Sequence, residues 1–137
     1  MPVLTRWMVK TSLLYFILAL VTGVLLGLRQ WLPPGWLPGG LFPVYLHLYM
    51  VGWVTMLIFG VVYWMFPKYS LSSLRGSERM GWAVYWLLNL GLLLRAVGES
   101  LVQPGSAWGW LLALSALLQL LAGLGFILNT WPRVKEK

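Results

Sequence analysis

The chain has 137 residues, enough for one domain, and is 60% hydrophobic and only 9% charged. A water-soluble domain carries roughly 25% charged residues, so a soluble fold is excluded and an integral membrane protein is the reading. A net charge of +7 in such a chain sets orientation rather than marking a nucleic-acid partner. The lack of cysteine excludes disulfides, thiolate metal sites and cysteine nucleophiles.

Four apolar runs follow one another, over residues 11–28, 44–66, 80–102 and 106–131. Lipid offers no water to unpaired backbone groups, and the runs are continuous rather than alternating, so each predicts a helix. The first lies between Lys10 and Arg29, lacks a small-residue cleavage site, and reads as a retained span rather than a signal peptide. The second holds one histidine and ends at Pro67-Lys68. The third carries Arg95 and Glu99 in its last turns, and the fourth carries no charge. The expected fold is therefore all-α, a four-helix membrane bundle forming one domain over residues 1–137.

The connectors differ in character. Residues 33–43 are rich in proline and glycine and should lie at an interface. Residues 68–79 are polar and basic. The link around Gln103-Pro104-Gly105 is short enough to make spans three and four an antiparallel hairpin.

The ten basic residues divide unevenly across four spans. Arg6, Lys10, Lys68, Arg75, Arg79, Arg133, Lys135 and Lys137 share one side, and only Arg29 and Arg95 belong to the other. The positive-inside rule puts both termini of this multi-pass protein in the cytoplasm; a bacterial or archaeal cytoplasmic membrane is the expected location. Trp7, Trp64, Trp82 and Trp131 fall near the inner boundary, and Trp31, Trp36, Trp108 and Trp110 near the outer one, as aromatic belts. The tail from Arg133 to Lys137 reads as a solvated basic end.

His47 is the sole histidine. It stands in the fourth position of the second run, close under the outer end. Arg29 and Arg95 are expected near that level, with Glu99 on the Arg95 face. One imidazole and two guanidinium groups suit a haem: a nitrogen for the iron, and cations for the two propionates. The plain alternative is a histidine bonded to a neighbouring carbonyl and an Arg95–Glu99 pair that neutralises itself. Gly52, Met56 and Gly60 form a small-residue stripe suited to helix contact. On α-helical geometry that stripe is about 140° round from His47. Asn89 and Gln119 are expected to donate interhelical hydrogen bonds.

The stretch YLHLYMVGWVTMLIFGVVYWMFPKY resembles the second helix of the catalytic subunit of haem-copper oxidases and nitric oxide reductases. It is most similar to short, stand-alone relatives described as cytochrome oxidase subunit I-like. The matching features are His47, Gly52-Trp53, Ile58-Phe59-Gly60, Tyr63-Trp64 and Pro67-Lys68. The resemblance implies His47 as an axial ligand of haem b, with Arg29 and Arg95 holding the propionates.

This chain departs from that family at the places where further histidines are found, which here hold Tyr45 and Trp64. A binuclear oxygen-reducing centre cannot be built from one histidine, so catalysis by this chain alone is not expected. The second axial position has two open solutions: a homodimer presenting His47 from each subunit, or a vacant site that binds a gas. Met50 and Met56 lie on the same helix and cannot reach the opposite face of such a haem. Electron transfer or haem and gas sensing follows from the haem reading. The alternative is a haem-free accessory subunit or assembly factor of a respiratory enzyme.

Overall fold

The structure, a computed structural model, describes residues 1–66, 77–101 and 105–134. Its main elements are four helices: α1 (Val3–Leu28), α2 (Leu41–Met65), α3 (Glu78–Leu101) and α4 (Trp110–Thr130). All four are long and apolar enough to cross a membrane. The all-α, four-helix expectation therefore holds. Pro67, Lys68, Arg75, Val102, Gln103, Pro104, Lys135 and Lys137 lie outside the described residues, as does the short link expected between spans three and four.

The helices extend past the apolar runs. The first turns of α1 include Arg6 and Lys10 because Leu4, Thr5 and Met8 on the opposite face are buried in the bundle. α2 begins at Leu41 rather than after Pro43. Proline is compatible with a first helical turn, where no intrahelical donor is missed. α2 is also not α-helical throughout: Leu48–Thr55 is π-helical, between α-helical Leu41–His47 and Met56–Met65. Within that section the Thr55 hydroxyl donates to the carbonyl of Met50, five residues back, at 2.8 Å.

The contacts give the relative directions of the helices. Tyr45 meets Gly23, Gly52 meets Tyr15 and Gly60 meets Met8, which runs α2 antiparallel to α1. Tyr15 donates to Asn89 Oδ1 at 2.7 Å, and Thr11 Oγ1 lies 2.9 Å from the Tyr85 hydroxyl. Both pairs have the same sequence separation, so α1 and α3 are parallel. Val84 meets Gly125, Gly91 meets Leu118 and Gly98 meets Leu111, an antiparallel α3–α4 register that repeats every seven residues on both helices. A seven-residue repeat is the left-handed packing seam, and small residues at it let the backbones approach.

Without a hydrophobic drive between helices in lipid, such close packing and buried hydrogen bonds carry the association. The small-residue stripe of α2 serves this purpose. A Cβ on Gly52 would lie 2.8 Å from Leu92 Cδ2 and 2.9 Å from Tyr15 Cβ, and one on Gly60 would lie 2.9 Å from Met8 Cβ. The 140° separation of this stripe from His47 does not survive, because the intervening residues follow the wider π turn.

Two polar expectations need correction. Asn89 bonds between helices as an acceptor from Tyr15, while its amide donates to Tyr85 O within α3. Gln119 donates to Ser115 within α4, and it is Ser115 that crosses to Gly91 O at 2.8 Å. Arg133 is not part of a solvated tail. It is 1% exposed and donates through Nη2 to Tyr63 O at 3.0 Å and Phe66 O at 2.7 Å. The last carbonyls of α2 are the partial negative end of that helix, and a guanidinium there is favourable. The tail of α4 is thus clamped to the end of α2.

Nearby, Asn129 bonds both the N–H and the carbonyl of Ser77 at the start of α3. Seven of the eight tryptophans assigned to the two belts are exposed, whereas Trp82 is partly buried against the core.

Candidate functional site

His47 ends the first α-helical section of α2, directly before the π turn. It is the seventh residue of the helix, about two turns in, and so deeper than a helix start at Val44 would place it. Val44 and Leu48 flank it on the buried face. Tyr45, Tyr49 and Trp53 form an aromatic row toward α1, where Phe16 lies 4.1 Å from Trp53 between ring centroids. His47 is half-buried on the flank away from that row, beside the exposed Leu46 and Met50.

The imidazole is oriented from within its own helix. Nδ1 lies 2.9 Å from Pro43 O. A carbonyl can only accept, so Nδ1 carries the proton and the lone pair of the neutral ring is on Nε2. Nε2 has no hydrogen-bond partner among the described residues. A ring whose other nitrogen donates to a backbone carbonyl is the arrangement in which histidine ligates metals. Among the described residues no group of three or more His, Cys, Asp or Glu side chains could hold a bare metal ion.

Arg95 is brought close in level to His47. Gly40, at the head of α2, packs directly on the backbone carbonyl of Glu99, and Gly52 packs on Leu92. His47 lies between these contact points on α2, and Arg95 lies between them on α3. Arg95 is already engaged: its Nε is 2.9 Å from Glu99 Oε1, with the two side chains 25% and 16% exposed. The approach is off the N–H axis, so this is an ion pair without a formed hydrogen bond.

Arg29 is exposed and opens the short 3₁₀ turn Arg29–Trp31 after α1. The contact of Tyr45 with Gly23 places Arg29 roughly 12 Å from His47 along the helix axis, nearer the loop end. The two arginines therefore stand at different heights, not at one. Arg29 lines a cleft of about 390 Å³ with Gln30, Pro33, Pro34 and Gly35.

Sequence reasoning missed the polar set of buried Tyr15, Ser115 and Asn129 and half-buried Thr11. The hydroxyls are hidden in apolar runs. Their signal is spacing: Thr11 and Tyr15 are four apart on α1, as are Tyr85 and Asn89 on α3.

Comparison with known proteins gives a partial match. A stretch of 64 residues, 46% of this chain, is 34% identical to cytochrome c oxidase subunit 1 of Thermus thermophilus. A second cytochrome c oxidase subunit 1, also from Thermus thermophilus, matches at the same identity and length. The aligned stretch covers 55% of the first relative and 10% of the second, so the chain spans about half the length of the former and a small part of the latter. No family model matches, and no solved structure matches. The chain is a multi-pass membrane protein with distant similarity to a respiratory oxidase subunit.

Proposed function

We propose that this protein binds haem b within the membrane, with His47 Nε2 as an axial ligand and Arg29 and Arg95 as the cations for its propionates. The observation that carries the reading is the His47–Pro43 bond, which leaves Nε2 bearing a free lone pair. The similarity to cytochrome c oxidase subunit 1 supports the same reading.

A bound haem would supply one-electron redox chemistry or a gas-binding iron. The chain's own part is to fix the ring tautomer through Pro43 and to offer positive charge on the loop side through Arg29. Arg95 contributes less charge than its guanidinium alone, because Glu99 offsets it.

His47 has the exposed side chains of Leu46 and Met50 beside it. A macrocycle on that flank would lie against the outside of this chain and need a second covering surface. A two-fold homodimer meets that need with one self-complementary face and supplies a second His47. With both axial positions filled, outer-sphere electron transfer is the use this arrangement favours; with one open, sensing is. Both termini are assigned to the cytoplasm on the distribution of basic residues, and the similarity to a Thermus thermophilus oxidase subunit supports a bacterial or archaeal cytoplasmic membrane.

The second reading is a haem-free accessory or assembly subunit of a respiratory enzyme. The Arg95–Glu99 pair favours it, since that arginine already has a counter-charge.

Purification in mild detergent, with haem and chain quantified together, separates these readings. One haem per two chains with a six-coordinate spectrum is expected. One haem per chain would remove the shared arrangement. A colourless, folded protein would overturn haem binding and leave the accessory reading.

A further inference from the structure

The amino-terminal turns of α1 and α3 form a second feature that the His47 region does not use. Val3, Arg6, Trp7 and Lys10 follow one another at helical spacing on one face of α1 and line a cleft of about 240 Å³. A neighbouring cleft of about 240 Å³, between α1 and α3, is lined by Trp7, Trp82, Tyr85 and Trp86. Trp7 lines both, so a cationic cleft and an aromatic one lie side by side against the same indole.

The aromatic floor is fixed. Tyr85 packs edge-on against Trp82 and Trp86, with ring centroids 5.7 and 5.3 Å apart. Its hydroxyl is already paired with Thr11 Oγ1 at 2.9 Å. Arg79 stands three and seven residues before Trp82 and Trp86, and so shares their face of α3. Arg6, Lys10 and Arg79 are all exposed, and none makes an ion pair among the described residues. Glu78, the acid beside them, is exposed and makes none either.

We propose that this groove binds an anionic glycerophospholipid, its phosphate against Arg6, Lys10 and Arg79 and an acyl chain along Trp7, Trp82 and Trp86. The site pairs an excess of positive charge, three cations to the one carboxylate of Glu78, with an apolar slot, the two halves of a phospholipid. Basic pockets between membrane helices select negatively charged head groups, and tryptophan sits at head-group depth. A zwitterionic lipid would bring its own ammonium into the cationic cluster and lose the advantage. The site is independent of the haem reading.

Native mass spectrometry of the full chain, titrated with dioleoylphosphatidylglycerol and dioleoylphosphatidylcholine, tests this. The wild type should bind the first at least tenfold more tightly. Each cation removed should cost about fivefold in affinity for the anionic lipid, so Arg6→Gln with Lys10→Gln should abolish most of the preference and leave phosphatidylcholine binding unchanged. Arg79→Gln, an exposed first-turn change, gives an independent reading of about fivefold should the double variant fail to fold. Equal binding of the two lipids by the wild type would overturn the proposal. So would an unchanged preference in the folded variants.

Discussion

The Nδ1 atom of His47 lies 2.9 Å from the carbonyl oxygen of Pro43, one turn earlier on the same helix. The bond leaves a neutral imidazole with one arrangement of its proton. In the haem-free protein, ¹⁵N NMR of the single histidine should show the neutral ring as the tautomer with Nδ1 protonated and Nε2 unprotonated. The opposite tautomer would mean that Nε2 is not the free nitrogen.

Arg133 clamps the end of α4 to the end of α2 through Tyr63 O and Phe66 O, with its guanidinium 5.5 Å from the Tyr63 ring centre. Hydrogen bonds to charged groups contribute about 1.5–3 kcal/mol each, and orphaned carbonyls add a penalty. Arg133→Met should therefore destabilise the bundle by roughly 3 kcal/mol, and Arg133→Lys by less, since an ammonium lacks the planar fork. Reversible unfolding in mixed micelles measures both. A neutral Arg133→Met would return this residue to the solvated tail.

Tyr15 and Asn89 form the buried link between α1 and α3. A double-mutant cycle with Tyr15→Phe and Asn89→Ala should give a coupling near the membrane-protein average of about 0.6 kcal/mol, and no more than about 1.7. Zero coupling would show that the two side chains do not meet.

The glycines divide into two kinds. At Gly52 a Cβ would press on the Tyr15 and Leu92 side chains, whereas at Gly123 nothing lies within 4 Å. Gly52→Ala should cost about 1–3 kcal/mol through overpacking. Gly123→Ala should stabilise the helix by about 0.5–1 kcal/mol, the usual penalty of glycine relative to alanine. The same unfolding assay reads both signs.

How far the sequence can carry the fold follows from these residues. Unbroken apolar runs announce spans because lipid leaves the backbone no alternative. Gly91 and Gly98, seven apart on α3, are visible as spacing, yet only a partner helix with matching spacing makes them a seam. Pro43 marks a loop by composition, but proline also fits a first turn, so the helix starts before it. The π turn is invisible to hydropathy, because widening a helix changes no residue's polarity; Thr55 is its one local trace. Arg133 escapes sequence reasoning because a cationic tail carries no sign that a helix end waits for it. His47 stands out by being alone, but the height difference between Arg29 and Arg95 depends on helix contacts that no single run contains.

The proposed iron ligand is the Nε2 atom of His47. Wild type and His47→Ala, expressed with haem supply and purified side by side in mild detergent, should be compared by absorption spectrum and by pyridine haemochrome quantification at equal helical content. A Soret band is expected to follow the wild-type chain and to be lost in His47→Ala. A wild type without the band, or a variant that keeps its full haem content and an unchanged spectrum, would contradict it.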